Sequence, residues 1–267
     1  MSLYGLLTTC KINSRLFFRY PFHYAFGCRE IDLMIKVKEI VKDGKFPIDP
    51  FSWQVRFSIN HVKANCEFIK VPWDQTPEIL ELKNEAPVLI DGERVIKGAF
   101  QITKYLERNF TDSPSLFGGS AGLGASRFID FWAFDVLLEE VYALIMVDLA
   151  EENLTIDSTR RSAWENKINS LWGDIKFSEL KDLRNERRKY FQDVMLKPLR
   201  KTITASTFLG GDSPAFSDYA VAGIFYWART LSCFEILESG DPVFSWLEEV
   251  LNLYSSQFKR PEDAPMA

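Results

Sequence analysis

The sequence has few of the residues from which metal centres and disulfide frameworks are built. It contains four cysteines and two histidines among 267 residues, and no two cysteines form a Cys-x-x-Cys pair. His23 and His61 lack the spacing of metal ligands. We therefore predict no metal site and free thiols in a reducing compartment. A thioredoxin-type disulfide oxidoreductase is excluded, because its chemistry needs a cysteine at the start of the first helix.

Clustered positive charge is also missing. The net charge is −5, and nucleic-acid binding is driven by clustered cations that neutralise phosphates. The longest apolar helix candidate, residues 128–149, is interrupted by five acidic residues, too many for a membrane span. We therefore expect neither a nucleic-acid partner nor a membrane span.

The first 29 residues differ in composition from the rest of the chain. They contain lysine and arginine, with no acidic residue before Glu30. This fits a mitochondrial transit peptide, although Pro21 and the aromatic residues around it fit that interpretation poorly. The alternative is a disordered or loosely docked extension. We expect residues 1–29 to be such an extension, on a cytoplasmic protein or, as the alternative, a mitochondrial one.

The next part of the chain predicts strands that alternate with helices. Apolar residues alternate over Leu33–Val37, which predicts a strand that ends near Asp43-Gly44. They recur at helical spacing after Pro50, which predicts the first helix with Asp49 as its N-cap. The run Cys66–Val71 predicts a second strand, which completes a βαβ unit. A short helix is expected around Pro77–Lys83.

The stretch Ala86–Phe110 predicts a hairpin followed by a helix. Pro87 opens an apolar run and follows a peptide bond that can be cis. Asp91-Gly92 is a strong signal for a hairpin turn, and apolar residues recur at helical spacing from Gly98-Ala99 onwards. The resulting order, βαβα followed by ββα, predicts a thioredoxin-like domain over residues 30–110.

The remainder of the chain is predicted to be helical. Residues 111–125 contain four glycines and a proline, which indicates a domain linker. An all-α domain is expected over residues 126–260, with a tail at 261–267. The predicted helices are Phe128–Asn153, Ser158–Trp172, Phe177–Ile203, Ser217–Phe234 and Val243–Phe258. Within them, Ala220–Trp227 is apolar on nearly all sides, which is typical of the central helix of a bundle.

Several segments of this chain carry a resemblance to a known family. They read DPFSWQVRFSIN at the first helix, VIKGAFQITKYLERNF at the hairpin and its helix, and FLGGDSPAFSDYAVAGIFYWAR with DPVFSWLEEVL near the end. These segments resemble the glutathione transferase superfamily, and within it the fungal beta-etherase-like, serine-type class. The resemblance implies glutathione as co-substrate, a hydrophobic or aromatic small-molecule electrophile, a homodimer and no metal.

The resemblance also implies how glutathione is held. Ala86 would supply backbone groups that pair with the cysteinyl backbone of glutathione, next to a cis bond to Pro87. The helix that follows would bind the γ-glutamyl end through its free N–H groups. There the chain has Gly98 and Ala99 in place of the acidic residue and the serine of the family. Lys97 or Arg94 is expected to offset part of this loss by reaching the carboxylate of the ligand.

The nucleophile-activating position departs from the family pattern as well. Serine-type members place there a serine that stabilises the glutathione thiolate, and the matching residue in this chain is Asp49. A carboxylate raises the pKa of a neighbouring thiol, so the alternative role of Asp49 is to cap the helix. Ser52 lies three residues along on the same helical face and is a candidate thiol partner. Its alternative is a solvent-facing or backbone-bonded serine.

The leading hypothesis is a glutathione transferase-like enzyme that uses glutathione to conjugate or to cleave an apolar or aromatic electrophile. The alternative is a non-catalytic carrier or interaction protein with the transferase fold, which the departures at the glutathione site support. Six aromatic residues in the helical half either line the electrophile pocket or belong to the core. These residues are Trp132, Phe134, Tyr142, Phe225, Tyr226 and Trp227.

Overall fold

The computed structural model describes residues 34–42, 46–72, 85–152, 162, 166, 169–173 and 179–255. The predicted extension, the short helix around residues 77–83 and the tail lie outside the described residues. An α/β half precedes an all-helical half, which confirms the predicted fold class. No helix among the described residues is long and apolar enough to cross a membrane. The same residues contain no group of three metal-ligating side chains.

A five-stranded mixed sheet forms the α/β half. Its strands are β1 (Ile35–Lys42), β2 (Phe46–Pro47), β3 (Cys66–Pro72), β4 (Val88–Asp91) and β5 (Arg94–Lys97). The central strand is β1, which pairs in parallel with β3 and antiparallel with β2 and β4. At the edge, β5 pairs antiparallel with β4. The turn between these two strands contains Gly92 at φ +57°, as the Asp91-Gly92 signal predicted.

Two helices of the α/β half bring the predicted site residues together. They are α1 (Pro50–His61) and α2 (Ala99–Asn109), and both begin where the sequence predicts. They contact each other through the hydroxyl groups of Ser58 and Thr103, 3.1 Å apart. The bond between Ala86 and Pro87 is cis, as predicted.

Residues 169–172 of the helical half are helical, and six further helices have described bounds. They are α3 (Ser120–Trp132), α4 (Glu139–Glu152), α5 (Leu180–Tyr190), α6 (Lys197–Ala205), α7 (Phe216–Leu231) and α8 (Pro242–Asn252). A π-helical segment, Ala133–Leu138, joins α3 to α4, and a second one, Phe191–Met195, follows α5. Every residue from Phe216 to Ala228 is buried, which confirms the predicted central helix.

The start of α3 differs from the prediction. The helix begins at Ser120, inside the segment 111–125 that was predicted to be a linker. Gly122 explains the difference, because a Cβ atom at this position would lie 1.7 Å from the carbonyl oxygen of Phe117. This glycine therefore permits a close approach of the helix to the preceding chain and does not mark a flexible connection.

The two halves share one contiguous hydrophobic core. The contact runs mainly between α1 and α7, where the Gln54 side chain donates to the carbonyl oxygen of Ala220 at 3.1 Å. Trp227 Nε1 donates to the carbonyl oxygen of Ile48 at 2.6 Å. The first helix of the α/β half is thereby fixed against the central helix of the bundle.

A buried ion pair lies within β1, which ends at Lys42, close to its predicted end near Asp43-Gly44. Glu39 is fully buried in the strand and receives two hydrogen bonds from the guanidinium of Arg56, at 2.8 and 2.5 Å. The same guanidinium lies 4.1 Å from the ring centre of Phe68. A charged residue interrupts the apolar alternation on which the sequence prediction depended, although here its charge is neutralised inside the fold.

We predict that Arg56→Met destabilises the protein by about 3–5 kcal/mol, because it leaves the Glu39 carboxylate buried without its cation. Lys36→Met is the matched control, since Lys36 pairs with Glu67 at 3.2 Å but both side chains are about half exposed. We expect the control to change stability by less than about 1 kcal/mol. Urea denaturation measures both free energies of unfolding. Equal effects of the two substitutions would contradict the prediction.

Candidate functional site

The predicted site residues gather at the N-termini of α1 and α2. Asp49 and Ser52 lie at the start of α1, and Gly98 and Ala99 at the start of α2. The adjoining loop approaches the start of α2, because the carbonyl oxygen of Pro87 accepts a hydrogen bond from Gly98 N at 3.0 Å. The two helix starts differ in how their backbone N–H groups are satisfied.

The N-terminus of α1 is capped by Asp49. The fully buried carboxylate accepts hydrogen bonds from Ser52 N at 2.7 Å and from the Ser52 hydroxyl at 2.8 Å. This confirms the capping role of Asp49. Ser52 is 1% exposed, so it is neither solvent-facing nor bonded to the backbone through its hydroxyl. Its proton is directed at Asp49 and not at an open ligand site.

The cap leaves α1 with little capacity to stabilise an external anion. Pro50 has no N–H group, and the N–H groups of Phe51 and Ser52 point to Asp49. Burial raises the pKa of Asp49 to about 6, with a smaller contribution from the nearby Glu39 carboxylate, while the hydrogen bonds from Ser52 and Phe51 act in the opposite direction. A second anion, such as a thiolate, would meet a buried carboxyl group at this helix start.

The N-terminus of α2 has no such cap. Its N-cap residue is Gly98, at φ +78°, and it has no side-chain cap hydrogen bond. A crevice of about 30 Å³ opens at this helix start. It is lined by Phe51, Gln54, Lys97, Gly98, Ala99, Phe100, Gln101, Arg127 and Asp130. The space admits a small polar group and not a whole tripeptide.

Gln54 lines this crevice and carries a buried hydrogen-bond acceptor. The residue is 3% exposed, and its side-chain nitrogen donates to the Ala220 carbonyl. Because a carbonyl can only accept, this bond fixes which end of the amide faces α7. The other end, Oε1, has no hydrogen-bond partner. A buried acceptor without a partner costs about 1–3 kcal/mol, so a donor that reaches it gains a strong contact.

Two charged residues of α3 complete the crevice. Arg127 donates to Asp130 at 3.0 Å, and its guanidinium lies 4.3 Å from the ring centre of Phe100. Lys97, which is predicted to reach the ligand, forms an exposed ion pair with Glu85. The crevice therefore offers a cation, an anion and an uncapped helix start within one small space.

Sequence reasoning did not identify Gln54, Arg127 or Asp130. Gln54 lies within the predicted first helix, and its polarity among apolar neighbours was the available signal. Arg127 and Asp130 lie on a helix whose start was predicted to be a linker. Only the tertiary packing of α3 brings them to α2.

The six aromatic residues predicted to line one pocket or the core have separate locations. Trp132 is partly buried and packs against the core. Phe134 packs against Phe51 near the crevice, with ring centres 5.8 Å apart. Tyr142 and Trp227 are buried and stack on each other within the core. Phe225 and Tyr226 line a different cavity, between α7 and α8.

We predict that Asp49→Asn removes a pH-dependent part of the stability. A pKa raised from 3.8 to about 6 means that the native state favours the protonated carboxyl group. The contribution of this protonated carboxyl group to the free energy of unfolding is fully present below pH 3.8 and is lost as the pH rises through 6. The wild type should therefore lose up to about 3 kcal/mol relative to Asp49→Asn between pH 4 and pH 8. The measurement is urea denaturation across this range.

The control for this prediction is Asp212→Asn, at an exposed position. Its stability should follow the wild type at each pH. A constant difference between the wild type and Asp49→Asn across the pH range would show that Asp49 has the same pKa in the folded and unfolded chain.

Comparison with known proteins identifies the fold. No protein-family model matches the chain. A glutathione S-transferase of Ceriporiopsis subvermispora, solved with glutathione, superposes with a TM-score of 0.59 at 17% identity, covering 86% of this chain and all of the other. A glutathione S-transferase of Sinorhizobium meliloti gives 0.58 at 17% identity, covering 88% and 96%. A glutathione transferase of Phanerochaete chrysosporium gives 0.56 at 18% identity, covering 84% and 96%. The chain thus has the fold of the glutathione transferases.

Proposed function

We propose that this chain is a glutathione transferase-like protein that binds glutathione by its γ-glutamyl end in the crevice at the start of α2. The observation that carries the proposal is the uncapped N-terminus of α2 beside the unpaired Oε1 atom of buried Gln54. The fold, and the glutathione bound in the similar Ceriporiopsis structure, support the choice of ligand.

The crevice suits a zwitterionic headgroup. The N–H groups at the start of α2 and the cation of Arg127 attract a carboxylate. Gln54 Oε1 accepts from an ammonium group, and Asp130 supplies the negative charge that Gly98 lacks. These residues thus replace the acidic residue and the serine that the resemblance implies at positions 98 and 99. The rest of the tripeptide would lie outside the crevice, along the backbone of Ala86.

The reaction we propose is attack of the glutathione thiol on an apolar or aromatic electrophile, which either conjugates the electrophile with glutathione or cleaves it. Asp49 and Ser52 occupy the position where such a thiol is activated, but they are buried and bonded to each other. This pairing favours a second candidate function, a carrier or interaction protein that binds glutathione without turnover. We also propose that the chain forms a homodimer, which is supported by the exposed aromatic side chains of Phe128 and Phe131 on α3.

We predict millimolar or tighter binding of glutathione to the full chain in calorimetric titration. Gln54→Met should weaken binding about tenfold, because it removes a hydrogen bond to a charged group. Ala99→Ser should strengthen binding by a similar factor, because it adds a hydroxyl group at the start of α2. No binding by the wild type would refute the proposed function.

The matched control for Gln54 is Gln192→Met. Gln192 is also a buried glutamine whose side-chain nitrogen donates to a backbone carbonyl, that of Ile236 at 2.6 Å. It does not line the crevice. Equal loss of glutathione affinity in both variants would show that the effect of Gln54→Met is a general loss of stability.

We predict that Asp49→Ser accelerates conjugation of a chromogenic aromatic halide at least about tenfold, because one unit of thiol pKa corresponds to a tenfold change in the thiolate population. Asp212→Ser serves as control. If the wild type turns over and Ser52→Ala lowers the rate, the result would support the enzyme. If the wild type is inactive and Asp49→Ser restores activity, the result would support the carrier. Slower turnover by Asp49→Ser than by the wild type would instead show that Asp49 assists the reaction.

A further inference from the structure

A second cavity lies between α7 and α8, and it shares no residue with the crevice. Its volume is about 640 Å³, within the range of about 300–1,000 Å³ that is typical of small-molecule sites. The C-terminal half of α7, the connection that follows it and α8 form the walls. The proposed glutathione site therefore leaves this cavity unassigned.

The interior of the cavity is apolar. Phe225, Ile236, Leu237 and Leu251 line it and are each less than 9% exposed. Tyr226 lines it too, and burial raises the pKa of its phenol to about 12. Exposed residues lie at the rim: Cys233, Glu235, Ser239, Asn252 and Ser255. The cavity thus combines an aromatic and aliphatic floor with a polar opening.

The polar groups around the cavity are already bonded within the protein. The Thr230 hydroxyl donates to the Trp227 carbonyl at 2.7 Å, and the Ser232 hydroxyl donates to Asp148. Both hydroxyl groups therefore already donate to acceptors within the protein and do not require a charged ligand. Selection of a ligand by the cavity therefore depends on apolar contact and shape.

The charges of the lining disfavour an anion. Arg229 is the only cation among the described residues that line the cavity, and it pairs with Glu248. Its guanidinium also lies 4.9 Å from the ring centre of Phe244. Glu235 adds a second carboxylate, so the lining carries a net negative formal charge. An anionic ligand would need Arg229 to give up its partner.

We propose that this cavity is a binding site for a neutral, apolar aromatic molecule, separate from the glutathione crevice. Burial of an aromatic ring against the floor of the cavity provides the binding free energy. An acidic ligand would require a cationic side chain without an ion-pair partner, and the described lining has none, because Arg229 pairs with Glu248. The site would give the chain a second small-molecule ligand whether or not it turns glutathione over.

A pair of fluorescent probes tests both the site and its charge preference. N-phenyl-naphthylamine is neutral, and anilinonaphthalene sulfonate has the same aromatic scaffold with an added negative charge. We expect the full chain to bind the neutral probe with micromolar affinity and the sulfonate at least about tenfold more weakly, because of like-charge repulsion. Equal affinity for the two probes, or no binding of the neutral one, would overturn the proposal.

Substitutions at Cys233 test the location. Cys233→Trp fills the cavity from its exposed rim and should weaken the neutral probe at least about tenfold. Cys233→Ser keeps the space open and should preserve binding. Val95→Trp adds the same bulk at an exposed position outside the cavity and should also preserve it. Unchanged binding in Cys233→Trp would place the probe elsewhere and overturn the proposal.

The Cys233 thiol provides an independent measurement. In a chain with Cys10→Ser and Cys28→Ser, Cys233 should be the thiol that reacts fastest with a charged thiol reagent, because burial raises the pKa of Cys66 to about 12. A tenfold excess of neutral probe over its dissociation constant should slow the reaction about tenfold by mass action. An unchanged rate with bound probe would overturn the assignment. Glutathione titration of Cys233→Trp should match the wild type, which separates the two sites.

Discussion

The close approach of α1 to α7 is the contact on which both halves of this structure depend. Gly223 permits it, because a Cβ atom there would lie 2.9 Å from Gln54 Cγ and 3.1 Å from the carbonyl oxygen of Pro50. Trp227 then reaches the Ile48 carbonyl just before α1. The central helix of the bundle therefore holds the start of the first helix of the α/β half in place, and with it the candidate site.

The same contact explains why the two helix starts at the site differ. The start of α1 is pressed into the core, where Asp49 is the group that satisfies its N–H groups. The start of α2 is buried as well, but it has a glycine cap and an adjacent crevice. Helix N-termini favour anions, and of these two only the start of α2 lacks a carboxylate cap and adjoins the crevice. Recognition of glutathione and activation of its thiol can therefore be separated in this chain, which is why binding without turnover is a coherent alternative.

Much of the fold was predictable from the sequence, because local signals and tertiary structure agree there. The hairpin at Gly92, the cap at Asp49 and the apolar helix before Ala228 each follow from a local residue pattern. The start of α3 differs from the predicted helix start, because Gly122 lets the helix lie against Phe117.

The candidate site divides in the same way. The sequence by itself determined that Asp49, Ser52, Gly98 and Ala99 stand at two helix starts, because capping and helical spacing are local properties. Only the tertiary structure decided that Asp49 and Ser52 are buried against each other, and that Gln54 keeps an unpaired oxygen beside α2. It also placed Phe225 and Tyr226 in a separate cavity. These features depend on which helices pack together, and no local residue pattern specifies that.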